Sequence, residues 1–143
     1  MDKRGFILTQ VLVGLYLLGL IIVFALPLLN ISISNLNFAK EKKDMINTGE
    51  TVIEQIKSFN YKNNNDRELV FDMELVEIIE LFEGYKEVNL SLPIDKDNPE
   101  YKYMCNIYKT EKDNLWELNV SIRFENGVKK INEIEINALL PIP

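Results

Sequence analysis

The 143-residue chain has no histidine and a single cysteine, Cys105. Without histidine there is no Ser-His-Asp triad and no Cys-His dyad, and a zinc finger is excluded by counting. With one thiol there is no intrachain disulfide. Positive charge is also scarce. Sixteen Lys+Arg stand against 22 Asp+Glu, a net charge of −6, which argues against nucleic-acid binding by bulk charge. Apolar residues at 47% and aromatics at 10% are enough for a core, so global disorder is excluded. The length suits one domain plus an anchor, not two full domains.

The most informative scarcity is local. After Asp2, Lys3 and Arg4 no charged residue occurs until Lys40. Inside this gap Phe6 to Leu29 is a continuous apolar run of 24 residues, broken only by Thr9, Gln10 and Tyr16. As a helix it would be about 36 Å long, enough to cross a hydrocarbon core of about 30 Å. A buried core helix would carry a polar face; this run predicts a membrane helix. Lys3 and Arg4 before it place the N-terminus in the cytoplasm and the remainder outside, although Lys40, Lys42 and Lys43 compete from the far side. A cleaved secretory signal is the rival reading. Its apolar core would be shorter, and Val23-Phe24-Ala25 followed by Leu26-Pro27 is a poor cleavage site.

The segment Lys3-Arg4-Gly5-Phe6-Ile7-Leu8-Thr9-Gln10-Val11-Leu12-Val13 resembles the start of a type IV prepilin or pseudopilin. In that family a short basic leader ends in Gly, a prepilin peptidase cuts on the cytoplasmic side, and the new N-terminal residue is methylated. The resemblance implies cleavage between Gly5 and Phe6 and N-methylation of Phe6. A side chain at position 5 would crowd the scissile bond. Pro27 lies where many pilins place a kinking proline; it removes one helical hydrogen bond. The family usually carries Glu five residues into the mature chain, whereas this sequence has Gln10. That carboxylate is held to neutralise the terminal amine of a neighbouring subunit. Gln keeps the shape and an acceptor but not the charge, which implies a specialised minor subunit. The resemblance covers the first thirty or so residues. It divides the chain into a leader (1–5), a transmembrane helix (6–29), a helical stem (30–60) and a globular head (61–143).

Beyond the span, Met45, Gly49, Val52, Ile56 and Phe59 recur in steps of four and three, one stripe of a helix that should end near Asn60. Asn60 to Asp66 reads as a polar linker. A second helix is expected from about Asp72 to Glu83, with Phe71, Leu75, Ile78, Ile79 and Phe82 on its apolar face. Glu74, Glu77, Glu80 and Glu83 recur every third residue and read as a solvated acidic face rather than metal ligands. Then come strands: Val88, Leu90 and Leu92; Tyr101, Tyr103, Cys105 and Ile107; and Trp116, Leu118, Val120, Ile122 and Phe124, each alternating with polar partners. Glu125-Asn126-Gly127 signals a hairpin, and Ile134, Ile136 and Ala138 the returning strand, with Ile131 out of phase as at a bulge. About four antiparallel strands with one apolar face can pack on the long helix. The fold class is α+β, and the plan resembles a pilin head.

Little catalytic chemistry is available. Asp95-Lys96-Asp97-Asn98 spaces its oxygens like a calcium loop, but it lacks the required Gly and meets Pro99, and a polar turn accounts for the same residues. Cys105 shares the core register of its strand, so a buried thiol is expected. No cofactor, metal or catalytic residue is implied, and no nucleophile–base spacing supports a membrane-tethered enzyme. The resemblance implies a prepilin peptidase, other pilin or pseudopilin subunits and the membrane as partners. It leaves open a type IV pilus, a type II secretion pseudopilus or a competence pseudopilus. The alternative is a single-pass anchored extracytoplasmic binding domain that does not polymerise.

Overall fold

The computed structural model describes residues 3–60, 68–95, 100–124 and 133–142. Helix α1 runs from Lys3 to Ser58, with Pro27 inside it. The chain divides into two compact units at the Ala39/Lys40 junction of this helix. In the first unit every large apolar side chain from Phe6 to Phe38 is exposed, from 37% at Leu20 to 68% at Phe24. Among the described residues this is one helix long and apolar enough to cross a membrane, and its apolar window contains no buried residue. A helix apolar on all sides and uncovered by protein is soluble only in lipid or against other apolar helices.

The second unit is α+β. Strands β1 (Leu69–Val70) and β2 (Met73–Glu74) form a small hairpin, followed by helix α2 (Leu75–Gly84). Strands β3 (Glu87–Leu92), β4 (Tyr103–Lys112), β5 (Leu115–Phe124) and β6 (Glu133–Pro141) form one antiparallel sheet in chain order. The register aligns Leu90, Ile107, Val120 and Ile136 across the sheet, and Leu92, Cys105, Ile122 and Ile134 beside them. Period-two alternation puts these residues on one face. That face buries Trp116, Leu118, Val120 and Ile122 against Met45, Val52 and Ile56 of α1 and Leu75, Ile78, Ile79 and Phe82 of α2. The Phe82 and Trp116 rings meet edge to face at 5.5 Å and 89°, a favoured aromatic geometry.

The expected stripe of α1 is therefore core. Gly49 within it is the point of closest approach: a Cβ there would lie 2.7 Å from Ile136 Cδ1 and 3.3 Å from Ile122 Cγ1.

Three sequence expectations need adjustment. The second helix begins at Leu75 rather than Asp72, because Val70 to Met73 closes a hairpin in which Phe71 takes φ 59°. Phe71 is thus a turn residue, half-buried, and not part of the helix face. Strand β4 extends to Lys112, where Asp113 and Asn114, at φ 53° and 60°, make a two-residue turn into β5. Two successive left-handed residues are the type I′ requirement, which Asp and Asn tolerate. The Glu125-Asn126-Gly127 turn, Ile131 and Asp97 lie outside the described residues.

Candidate functional site

The amino-terminal residues singled out by the sequence share one exposed helical segment. A Cβ built on Gly5 would meet nothing within 4 Å. Phe6 is 58% exposed, and Gln10, four residues on, shares its helix face. The carbonyl of Gly5, one side of the Gly5–Phe6 peptide bond, accepts a hydrogen bond from Thr9 Oγ1 at 2.7 Å. Pro27 is not near these groups; it lies 17 residues beyond Gln10, about 26 Å along the helix axis. Lacking an N–H, it offers no hydrogen-bond donor to the Val23 carbonyl one turn earlier.

In the second unit two devices escaped the sequence reading. Lys109 follows Tyr103, Cys105 and Ile107 in the inward register of β4 and has no exposed surface. Its Nζ donates to the carbonyls of Phe82 at 2.8 Å and Tyr85 at 2.7 Å, with Lys86 O at 3.5 Å. It therefore caps the carboxyl end of α2, where orphan carbonyls and the helix dipole both favour a cation. Glu111 lies 3.8 Å away, and the Trp116 ring centroid 5.4 Å. Burial lowers the Lys109 pKa, opposed by the Glu111 carboxylate.

Asp72 is the second device. Its carboxylate accepts from the backbone N–H of Ile94 (2.9 and 2.7 Å to the two oxygens) and of Asp95 (3.0 Å to Oδ2). It thus ties the β1–β2 turn to the chain leaving β3, after the cis Leu92–Pro93 bond. Asp95, half of the calcium expectation, is placed by this contact through its backbone. Cys105 is fully buried, and burial pushes its thiol pKa up to about 12. A thiol so placed is inert as a nucleophile at neutral pH.

An open groove of about 580 Å³ lies between the 44–55 segment of α1, the β1–β2 turn and residues 101–103. Its helix wall carries Asn47, Thr48, Thr51 and Gln55; the opposite wall is aromatic, with Phe71 and Tyr101 rings 5.5 Å apart. Asp44 and Lys102, which also line it, pair with each other at 3.7 Å. Among the described residues no cluster of three or more potential metal ligands occurs.

No family model, curated protein or solved structure matches the chain.

Proposed function

We propose that this chain is a minor pilin or pseudopilin, cut between Gly5 and Phe6 by a prepilin peptidase and assembled with other pilin-type subunits. The filament is a type IV pilus or a related secretion or competence pseudopilus. The observation that carries this reading is the junction itself: directly after Arg4 the helix enters a stretch without charge whose large apolar side chains are exposed, with Gly5 unobstructed and Phe6 and Gln10 on one face. The leader lies in the cytoplasm, by the positive residues before the span, and the head outside it.

Hydrolysis of the Gly5–Phe6 bond consumes one water and yields the Gly5 carboxylate and the Phe6 amine. The amine then stands at the edge of an apolar helix. Gln10 can offer it a carbonyl oxygen but no neutralising charge.

Co-expression with a prepilin peptidase followed by mass spectrometry of the amino terminus tests the proposal. The expected product begins at Phe6 and carries an N-methyl group. Gly5→Leu should leave the leader attached. A Cβ at Gly5 meets nothing within 4 Å, so the variant is expected to keep the parent's fold, checked by its circular dichroism. Recovery of only full-length protein from a host with active pilus assembly would leave the second reading, an anchored head that never polymerises. That reading draws on one specific feature, the neutral Gln10 where the family carries a carboxylate.

A further inference from the structure

We infer that the sheet edges of the second unit join copies of this chain side by side: β6 of one copy adds, antiparallel, to β3 of the next, and two sheets become one. The order β3-β4-β5-β6 leaves these two strands outermost among the described residues, and the outer row of backbone N–H and C=O groups on each is open to a further strand. β6 is the less guarded edge. It runs nine residues, Glu133–Pro141, in unbroken register with β5, with no lysine, no bulge and no proline before its last residue. A long edge without those guards is a template for strand addition.

Topology names the occupant. In an antiparallel sheet of four strands in chain order, the two edge strands run in opposite directions. A strand antiparallel to β6 is therefore parallel to the chain's own β3, and a second copy can supply it without being turned over or reversed. Two copies so joined share one orientation, which chains inserted in one membrane in the same sense require. The inference rests on that membrane anchoring and not on processing at Gly5. A two-fold β6–β6 pair fails the same condition. It reverses every direction in the sheet plane, including that of the α1 stretch packed on the sheet through Met45, Val52 and Ile56.

The side chains match as well. Continuing the chain's own rows across the junction sets Glu87 opposite Leu139, Asn89 opposite Asn137 and Ser91 opposite Glu135 on the outer face. No like charges meet. The same kinds of pair already join β5 to β6: Asn119 Nδ2 donates to Asn137 Oδ1 at 2.8 Å, and Ser121 Oγ to Glu133 Oε1 at 2.6 Å. On the inner face Leu90 meets Ile136 and Val88 meets Ala138. These four are only half-buried, whereas Ile107 and Val120, in the row of Leu90 and Ile136, have no exposed surface. The added strand covers what the edges leave open. Pairing along the six residues of β3 makes an interface of the weak, transient class, under about 1,200 Å². Confinement to one membrane supplies the effective concentration it needs.

The test uses the full chain, tagged two ways and co-expressed in a host without a prepilin peptidase, in vesicles of that host's membranes. One copy carries Asn89→Cys and the other Asn137→Cys, and bismaleimidoethane links thiols that lie side by side. Native Cys105 is buried, so the parent chain should give no product. We expect a product between the two tagged copies. Ser91→Glu in the first copy sets a carboxylate against Glu135 of the second and should lower the yield about threefold. Glu135→Lys in the second copy should restore it. Both positions are exposed, and circular dichroism should show the parent's fold. Absence of the product, or an equal product when Glu117→Cys on β5 replaces Asn89→Cys, would overturn the inference. So would linkage of Asn137→Cys only to its own kind or to a different chain, or a yield that Ser91→Glu and Glu135→Lys do not move.

Discussion

An ammonium group with no exposed surface must be surrounded by oxygen, and Lys109 finds its oxygens at the end of α2. The alternation Tyr103, Cys105, Ile107 pointed to the inward register, and Lys109 is its next member. The sequence carried that signal. What it did not carry was the position of α2, whose carbonyls make an inward lysine tolerable. Lys109→Met keeps most of the stem packed on Trp116 but removes the donor. It should destabilise the head by about 1–3 kcal/mol, the cost of buried carbonyls left unpaired, measured by urea unfolding followed by Trp116 fluorescence. The pH dependence has a definite sign. Burial lowers the folded pKa below 10.5, so between that lowered value and 10.5 the unfolded chain binds more protons. Stability attributable to this residue therefore rises with pH across that window, and the rise should vanish in Lys109→Met.

At the scale of elements, periodicity was a good guide wherever the partner surface was continuous. The α1 stripe, the strand alternations and the buried Trp116 all follow from spacing, since each repeats along a face that packs on its neighbour. It placed the start of α2 at about Asp72, three residues before Leu75. In the fold the Asp72 carboxylate serves the backbone of Ile94 and Asp95, more than twenty residues away. The helix instead starts with Leu75 N–H bonded to Glu68 O at 2.9 Å. The groove was unreadable for the same reason: its walls come from three separated segments. Contact between α1 and the sheet makes a further prediction at Gly49. Ala gains about 1 kcal/mol in helix propensity but must push Ile136 Cδ1, the tip of a half-buried side chain. These effects oppose, and Gly49→Ala should stay within about 1 kcal/mol of the parent. Gly49→Val adds branching that Ile122 Cγ1 cannot clear, and should lose about 1–3 kcal/mol. Unfolding midpoints of the two variants, measured in the same micelles, decide the matter.

For the whole molecule, Gln10 suggests a place in the proposed filament. In the pilin arrangement an acidic side chain of each incoming subunit meets the terminal amine of the subunit above it. A subunit at the tip has nothing above, so a carboxylate there would be buried unpaired, and neutral Gln10 costs less. An interior copy would leave a neighbour's ammonium group unpaired, at about 3–5 kcal/mol if buried. We therefore expect a minor, tip-proximal or priming subunit. Quantification in sheared filaments should give far less of this chain than of the major subunit, and immunogold should mark filament ends. Near-equal stoichiometry along the filament would refute the tip assignment.

The contact of Gly49 with Ile136 also sets a schedule for biosynthesis. The helix stripe that needs the sheet is made first, and the strand that covers Gly49 emerges 87 residues later, from position 49 to position 136. At roughly 5–20 residues per second this interval is about 4–17 s. During it Met45, Val52 and Ile56 have a completed helix but no completed sheet to receive them. The second unit is thus open to proteases and to wrong partners until β6 arrives, and a chain interrupted before residue 133 keeps its apolar helix while losing the strand that closes the core.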